Sequence, residues 1–144
     1  MIYFDTAYLA KCYVNEHGSS EVRELAAEAG RVACCAYGRL ELMGALRRKL
    51  REGTIVRGQY RMILSQFDSD EVDHIWTWLP VTPDLLATAV AEFRALEPTI
   101  YLRSADALHL ACALENGFSE IWSNDRRLLK AASAFRIQGR DVIP

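Results

Sequence analysis

The chain is 144 residues long, 51% apolar and 25% charged, a size and composition that suit one folded domain with a core needing no metal or disulfide staples. Its apolar runs are only a handful of residues, too short to span a bilayer. The opening MIYFDTAYLAK carries no basic leader and no small-residue cleavage site, so a cytoplasmic protein is expected. The formal net charge of −2 excludes a broadly basic nucleic-acid coat without excluding a nucleic-acid partner.

In chain order, residues 2–4 (IYF) read as a short buried strand that ends at once in a helix, with Asp5 or Thr6 as its N-cap. The helix continues through AYLAKCYV and stops at His17-Gly18-Ser19-Ser20, where Ser20 is placed to cap a second helix running to about Ala29 before Gly30. RVACC (31–35) is a second strand. Residues 37–52 are predicted as an amphipathic helix from the spacing of Leu40, Met43, Leu46 and Leu50. Another helix follows over 55–68 through Ile55, Tyr60, Ile63, Leu64 and Phe67. HIWTWLPV (74–81) is a third strand. Thr82 caps the helix of 84–96, with Pro83 in its first turn. Arg103 to Asn116 is a helix ended by Gly117, EIWS (120–123) a fourth strand, Asp125 to Ala132 a short helix, and FRI (135–137) a final strand. Apolar strands alternating with helices of ten or more residues define an α/β fold with a mainly parallel central sheet of four to five strands flanked by helices, a single domain over 1–144.

Ligands of open parallel sheets bind at the carboxyl ends of the strands, and this rule filters the acidic residues. Asp5 follows the first strand directly, and Asp125 follows the fourth with only Asn124 between. Glu41 lies near the start of the helix after the second strand, and Asp106 in the first turn of the helix from Arg103. Each Asp taken alone is open to a plain capping role; Glu41, interior to its helix, is not. Two carboxylates about 4 Å apart repel by roughly 4 kcal/mol at an effective dielectric near 20, so four on one edge stay ionised only with a cation among them, or else their pKa values rise. All-oxygen ligation suits Mg²⁺ or Mn²⁺. Without these four acids, 15 acidic residues face 17 Lys plus Arg. Acids such as Glu52, Asp68, Asp70, Glu71 and Asp73 fall near helix ends and loops and read as solvated surface.

Other chemistries have less support. DTAYLAK stands where a phosphate-cradling glycine loop would follow the first strand, and no Gly-x-Ser-x-Gly elbow occurs. His109, within DALHLA, reads as a packed core histidine, and His17 and His74 as surface residues. Cys12, Cys34, Cys35 and Cys112 lie in apolar periodic segments and read as reduced, buried thiols, with no spacing for zinc.

These residues resemble the PIN-domain family, particularly VapC-type toxins of toxin–antitoxin pairs. IYFDTAYLAK is similar to the family's first strand and leading Asp, and YGRLELMGALRRK to its Glu-bearing helix. LRSADALHLACAL and IWSNDRRLLKAA resemble its most recognisable segment and its closing motif. The resemblance implies a PIN-like nuclease domain and a Mg²⁺- or Mn²⁺-dependent endoribonuclease. Asp5, Asp106 and Asp125 would be the main metal ligands, with Glu41 holding a water or a second ion. Thr6, Ser123 and Asn124 match the family's small polar positions beside the acids. Ser at 123, where Thr is more usual, is a mild departure. Ala33-Cys34-Cys35-Ala36 lacks the Ser or Thr often found after the second strand. Arg103 is open to contact with substrate phosphate, pairing with a site acid, or an ordinary surface role. Arg47, Arg48, Lys49 and Arg51 are open to tracking RNA or to being a solvated face. A homodimer and a cognate antitoxin are also implied, with Tyr8, Leu9 and the helices over 37–68 as the expected antitoxin contact. The alternatives are a PIN-type nuclease in RNA processing and a non-catalytic PIN-like binding module.

Overall fold

The computed structural model of the chain describes residues 1–144. Two short strands decide how its helices are shared out. Along β1 (Ile2–Tyr3) and β2 (Val32–Cys35) successive side chains point to opposite faces of the sheet. Tyr3, Ala33 and Cys35 therefore enter one core cluster, while Phe4, Val32 and Cys34 enter a second. The second cluster is closed by α1 (Thr6–Tyr13), α2 (Ser19–Ala29), α3 (Gly38–Arg51) and α4 (Arg57–Val72). The first is closed by α5 (Pro83–Ala95), α6 (Ser104–Glu115) and α7 (Arg126–Ala132).

β2 pairs in parallel with both β1 and β3 (Trp76–Leu79), and β4 (Glu120–Trp122) pairs in parallel with β5 (Gln138–Arg140). A parallel bridge between Phe4 and Trp122 joins the two sheets, supported by the Asp5 N–H donating to the Trp122 carbonyl at 3.2 Å. The order is thus β3-β2-β1-β4-β5, the expected α/β class with a parallel sheet. The chain builds outward from β1 through β2 and β3, then returns to place β4 on the other side of β1. Loops leaving β1 and β4 diverge at this switch point, which opens a crevice at their carboxyl ends.

Several local expectations are corrected. The last strand is β5 at Gln138–Arg140, not 135–137. Ser133–Phe135 is a 3-10 turn, and Arg136, at φ 59°, reverses the chain before pairing begins. Phe135 and Ile137 are both buried, so a helix end and a strand start together imitate strand alternation. Helix α2 begins at Ser19 with Gly18 as its cap, so Ser20 caps nothing. The Ser19 hydroxyl instead donates to the Glu16 carbonyl at 2.6 Å. In α3 the core stripe is Leu42 and Leu46, while Leu40 is 66% exposed. Helix α4 runs four residues beyond 68. Its polar last turn is anchored by Asp70, which accepts from the Tyr13 hydroxyl at 2.6 Å, and by Glu71, which accepts from the Trp78 indole. Cys34, Cys35 and Cys112 are buried free thiols and Cys12 is half-buried.

Candidate active site

Asp5 ends β1 and caps α1. Its Oδ1 accepts from the Tyr8 backbone N–H at 3.1 Å and its Oδ2 from the Ser123 hydroxyl at 2.6 Å. Ser123, fully buried at the end of β4, also accepts from the Asp125 backbone N–H at 2.9 Å. One hydroxyl thus ties the two strand-end acids together across the switch point. Asp125 caps α7, its Oδ1 accepting from the Arg127 N–H at 2.8 Å and, at a long 3.4 Å, from Leu128. Burial pushes the Asp5 carboxyl up to about 6, against the opposing effects of Ser123, His109 and the Tyr8 amide.

Glu41 is fixed from two sides. Its Oε2 accepts from the Thr6 hydroxyl at 2.6 Å and lies 2.7 Å from His109 Nε2, which is also 3.1 Å from Thr6 Oγ1. On the far side of the ring, Nδ1 lies 3.0 Å from the Tyr3 hydroxyl, which accepts from the Cys35 backbone N–H at 3.2 Å. Burial by itself would raise the Glu41 carboxyl, but His109 and the Thr6 hydroxyl bring it below the usual range. Burial alone would lower the His109 imidazole, and the neighbouring Glu41 and Asp5 raise it above its ordinary value. Gly38 makes this approach feasible: a Cβ there would stand 2.7 Å from Cys34 Sγ and 3.2 Å from Thr6 Oγ1.

Asp106 lies in the first turn of α6, its Oδ2 3.4 Å from the Arg103 N–H. Burial and then the charge of Asp125 raise its carboxyl. Arg103 Nη1 stands 3.8 Å from Asp125 Oδ2, so of its three readings the pairing with a site acid is the contact present. Asp5, Glu41, Asp106 and Asp125 line one polar pocket of about 430 Å³, together with Thr6, Arg103 and Asn124. No three His, Cys, Asp or Glu side chains close around a common point as a ready-made metal cage. Each acid is anchored through at least one oxygen: Asp5 by both, Glu41 by Oε2, Asp106 by Oδ2 and Asp125 by Oδ1. Four carboxylates with His109 already engaged by Glu41 offer oxygen donors, which fit a hard ion such as Mg²⁺ that keeps several waters and takes few direct carboxylates. Repulsion between Asp125 and Asp106 is the kind of strain that a cation relieves.

Sequence reasoning missed the site contact of His109. The residue is buried, 2% exposed, as a core histidine should be, yet it also lines the pocket and holds Glu41. The available signal was its position three residues after Asp106, on the same helix face. Lys11 and Glu16, also in the pocket wall, were passed over too. A lysine inside the apolar helix AYLAKCYV was the cue, since lysine is rarely buried unpaired. Tyr8 and Leu9 are fully buried and cannot meet an antitoxin. The Tyr8 hydroxyl is engaged inside the fold, donating to Asp141 and accepting from the Val142 N–H.

The sequence matches the PIN domain family over residues 2–134. Ribonuclease VapC47 of Mycobacterium tuberculosis (strain CDC 1551 / Oshkosh) is 32% identical over 135 residues, covering 90% of this chain and 88% of its own. Among solved structures, FitAcB from Neisseria gonorrhoeae superposes with a TM-score of 0.72 at 15% identity, covering 99% of this chain and 98% of that one. Mycobacterium tuberculosis VapC20, described as a Sarcin-Ricin loop cleaving toxin, gives 0.69 at 16% identity, covering 91% and 95%. A toxin–antitoxin complex from Klebsiella pneumoniae gives 0.60 at 19%, covering 93% and 94%. At these identities the solved structures bear on the fold.

Proposed function

The chain belongs to the PIN domain family, and from that premise we propose that it is a VapC-type ribonuclease, a Mg²⁺- or Mn²⁺-dependent endoribonuclease acting as the toxin of a toxin–antitoxin pair. The observation that carries this reading is the meeting of Asp5, Glu41, Asp106 and Asp125 in one pocket at the switch point. The relationship to ribonuclease VapC47 supports it.

Asp5, Asp106 and Asp125 would hold the ion, directly or through its waters, and Glu41 would serve a water or a second ion. A bound divalent ion supplies Lewis-acid activation of water and neutralises phosphate charge. The chain's own contribution is orientation. Thr6 and His109 occupy Glu41 Oε2, which leaves Oε1 to align a water with the phosphorus for in-line attack. Ser123 keeps Asp5 and Asp125 in register. Arg103 can exchange its 3.8 Å contact with Asp125 for a phosphate oxygen as the strand arrives. Hydrolysis in this geometry leaves a 5′-phosphate and a 3′-hydroxyl. The partners in this reading are RNA, a second copy of the chain in a homodimer, and an antitoxin that covers the pocket.

The test compares cleavage of a defined RNA panel by the wild type, Asp5→Asn and Asp106→Asn in Mg²⁺ or Mn²⁺. Each substitution is expected to lower the rate by two or more orders of magnitude, about 3 kcal/mol of barrier. Equal cleavage by all three proteins would overturn the reading.

A further inference from the structure

The pocket that holds the acids has a second, oppositely charged end. Lys11, Arg48 and Lys49 line it there, with Glu16 among them. Ala7 and Ala10 of α1 and Gly44 and Ala45 of α3 line the same pocket, so small side chains form a trough between the two helices. At 1.5 Å per residue, Lys49 lies about 12 Å along α3 from Glu41, and Lys11 about 8 Å along α1 from Thr6.

Glu16 organises the cations. Its Oε1 accepts from Lys11 Nζ at 3.0 Å and its Oε2 from Lys49 Nζ, while Lys11 Nζ also donates to the His17 carbonyl at 2.8 Å. The two lysine side chains are only 7% and 17% exposed. An ammonium has three N–H donors, so one on Lys11 and two on Lys49 remain unspent. Three cations against one carboxylate leave two positive charges. As a fold staple the cluster is poor value, because an apolar residue at position 11 would fill the space without desolvating a charge. Buried cations with spare donors in a small-residue trough suit a polyanion lying along it.

We propose that Lys11, Arg48 and Lys49, spaced by Glu16, are a seat for the phosphate backbone of single-stranded RNA flanking the bond to be cut. The seat rests on the ribonuclease reading above. It grips charge and reads no base, so its contribution is the same for every sequence. Outside the pocket, Arg47 and Arg51 lie beside Arg48 along a second concavity and continue the basic track. The helix face 47–51 is therefore divided: Lys49 and Arg48 serve the groove, and the others its approach.

The test measures binding of a labelled single-stranded RNA dodecamer, with Mg²⁺ and across a salt series, to Asp106→Asn protein, which should not consume it. Adding Lys49→Gln, whose amide still donates to Glu16, is expected to weaken binding roughly five-fold at 0.1 M salt and to flatten the salt slope by about 0.7. Lys49→Arg should restore both, which a purely structural role would not follow. Arg31→Gln, at the amino end of β2 and so at the other end of the strands from the pocket, should change neither. An unchanged slope and affinity in Lys49→Gln and in Arg48→Gln would overturn the seat even where the wild type cuts RNA. A flattened slope in a protein whose wild type never cuts RNA would overturn the ribonuclease reading and leave the cluster as an RNA-binding surface only. RNA that fails to bind the Asp106→Asn protein at all would overturn the seat, and wild type that leaves the same RNA intact in Mg²⁺ would overturn the ribonuclease reading.

Discussion

Asp5 has almost no exposure and both carboxylate oxygens hydrogen-bonded, yet burial pushes its pKa up to about 6. The native chain therefore holds the Asp5 proton more tightly than the unfolded chain, whose carboxyl titrates near 3.8. The associated stability is full below that unfolded value and is lost as pH rises through about 6, a swing on the order of 2–3 kcal/mol. Asp5→Asn, which imitates the protonated acid, is expected to show no such loss. In chelator at pH 8 the variant should melt higher than the wild type, and the gap should close by pH 4; equal melting at both pH values would contradict the burial argument. Stability given up for an ionised group at a working site is a common trade. At this scale Asp5, Asp106 and Asp125 were legible as one edge because each stands at or just past a strand end or helix start. Glu41 was less so, because Thr6 and His109 place it from 35 and 68 residues away in sequence. No local pattern records contacts over that distance.

Helix α3 connects the two ends of the pocket, with Glu41 in its first turn and Arg48 and Lys49 in its last. Its position depends on Gly38, where α3 comes against Cys34 and Thr6 with no room for a methyl group. Gly38→Ala is expected to push the helix away from Thr6, lengthen the contacts to Glu41 and cost about 1–3 kcal/mol of stability. RNA cleavage should fall more than in a surface control such as Gly58→Ala, whose Cβ would meet nothing; cleavage at the wild-type rate would mean that Glu41 does not depend on this approach. The elements themselves were largely readable, since caps such as Thr82, which accepts from the Leu85 N–H, are local. The misreadings shared a physical cause. Around 133–140, Phe135 of the 3-10 turn and Ile137 just ahead of β5 are buried on either side of the exposed Arg136 and imitate a strand. In α3 two apolar stripes compete, and only packing against the sheet selects Leu42 and Leu46 over Leu40.

At the scale of the whole molecule, the polar pocket lies where α1 and α3 meet α6, while an apolar groove lies between α5 and α6. Leu86, Val90 and Phe93 are 49%, 57% and 40% exposed there, beside Tyr37 at 37%. A rimmed apolar groove of this kind is the sort of surface that a protein partner covers, and it suits the proposed homodimer. Val90→Lys is expected to give a monomeric mass at micromolar concentration where the wild type gives a dimer. A dimeric mass for both would move the interface elsewhere. No helix is long and apolar enough to cross a membrane. The fold could be read from the sequence because strand-and-helix alternation is a local record of a global layering, whereas at the basic end of the pocket Arg48 and Lys49 were open to two readings and their grouping with Lys11 through Glu16 depends on pairing across helices.

Whether the carboxylate pocket hydrolyses RNA with a divalent ion is measured most directly by the metal dependence and end chemistry of the cut. One RNA of defined sequence, incubated with the protein in chelator and then given Mn²⁺, should stay intact until the ion is added and then yield 5′-phosphate and 3′-hydroxyl ends. Cutting at the same rate in chelator, or 2′,3′-cyclic phosphate ends, would rule out metal-dependent hydrolysis at this pocket.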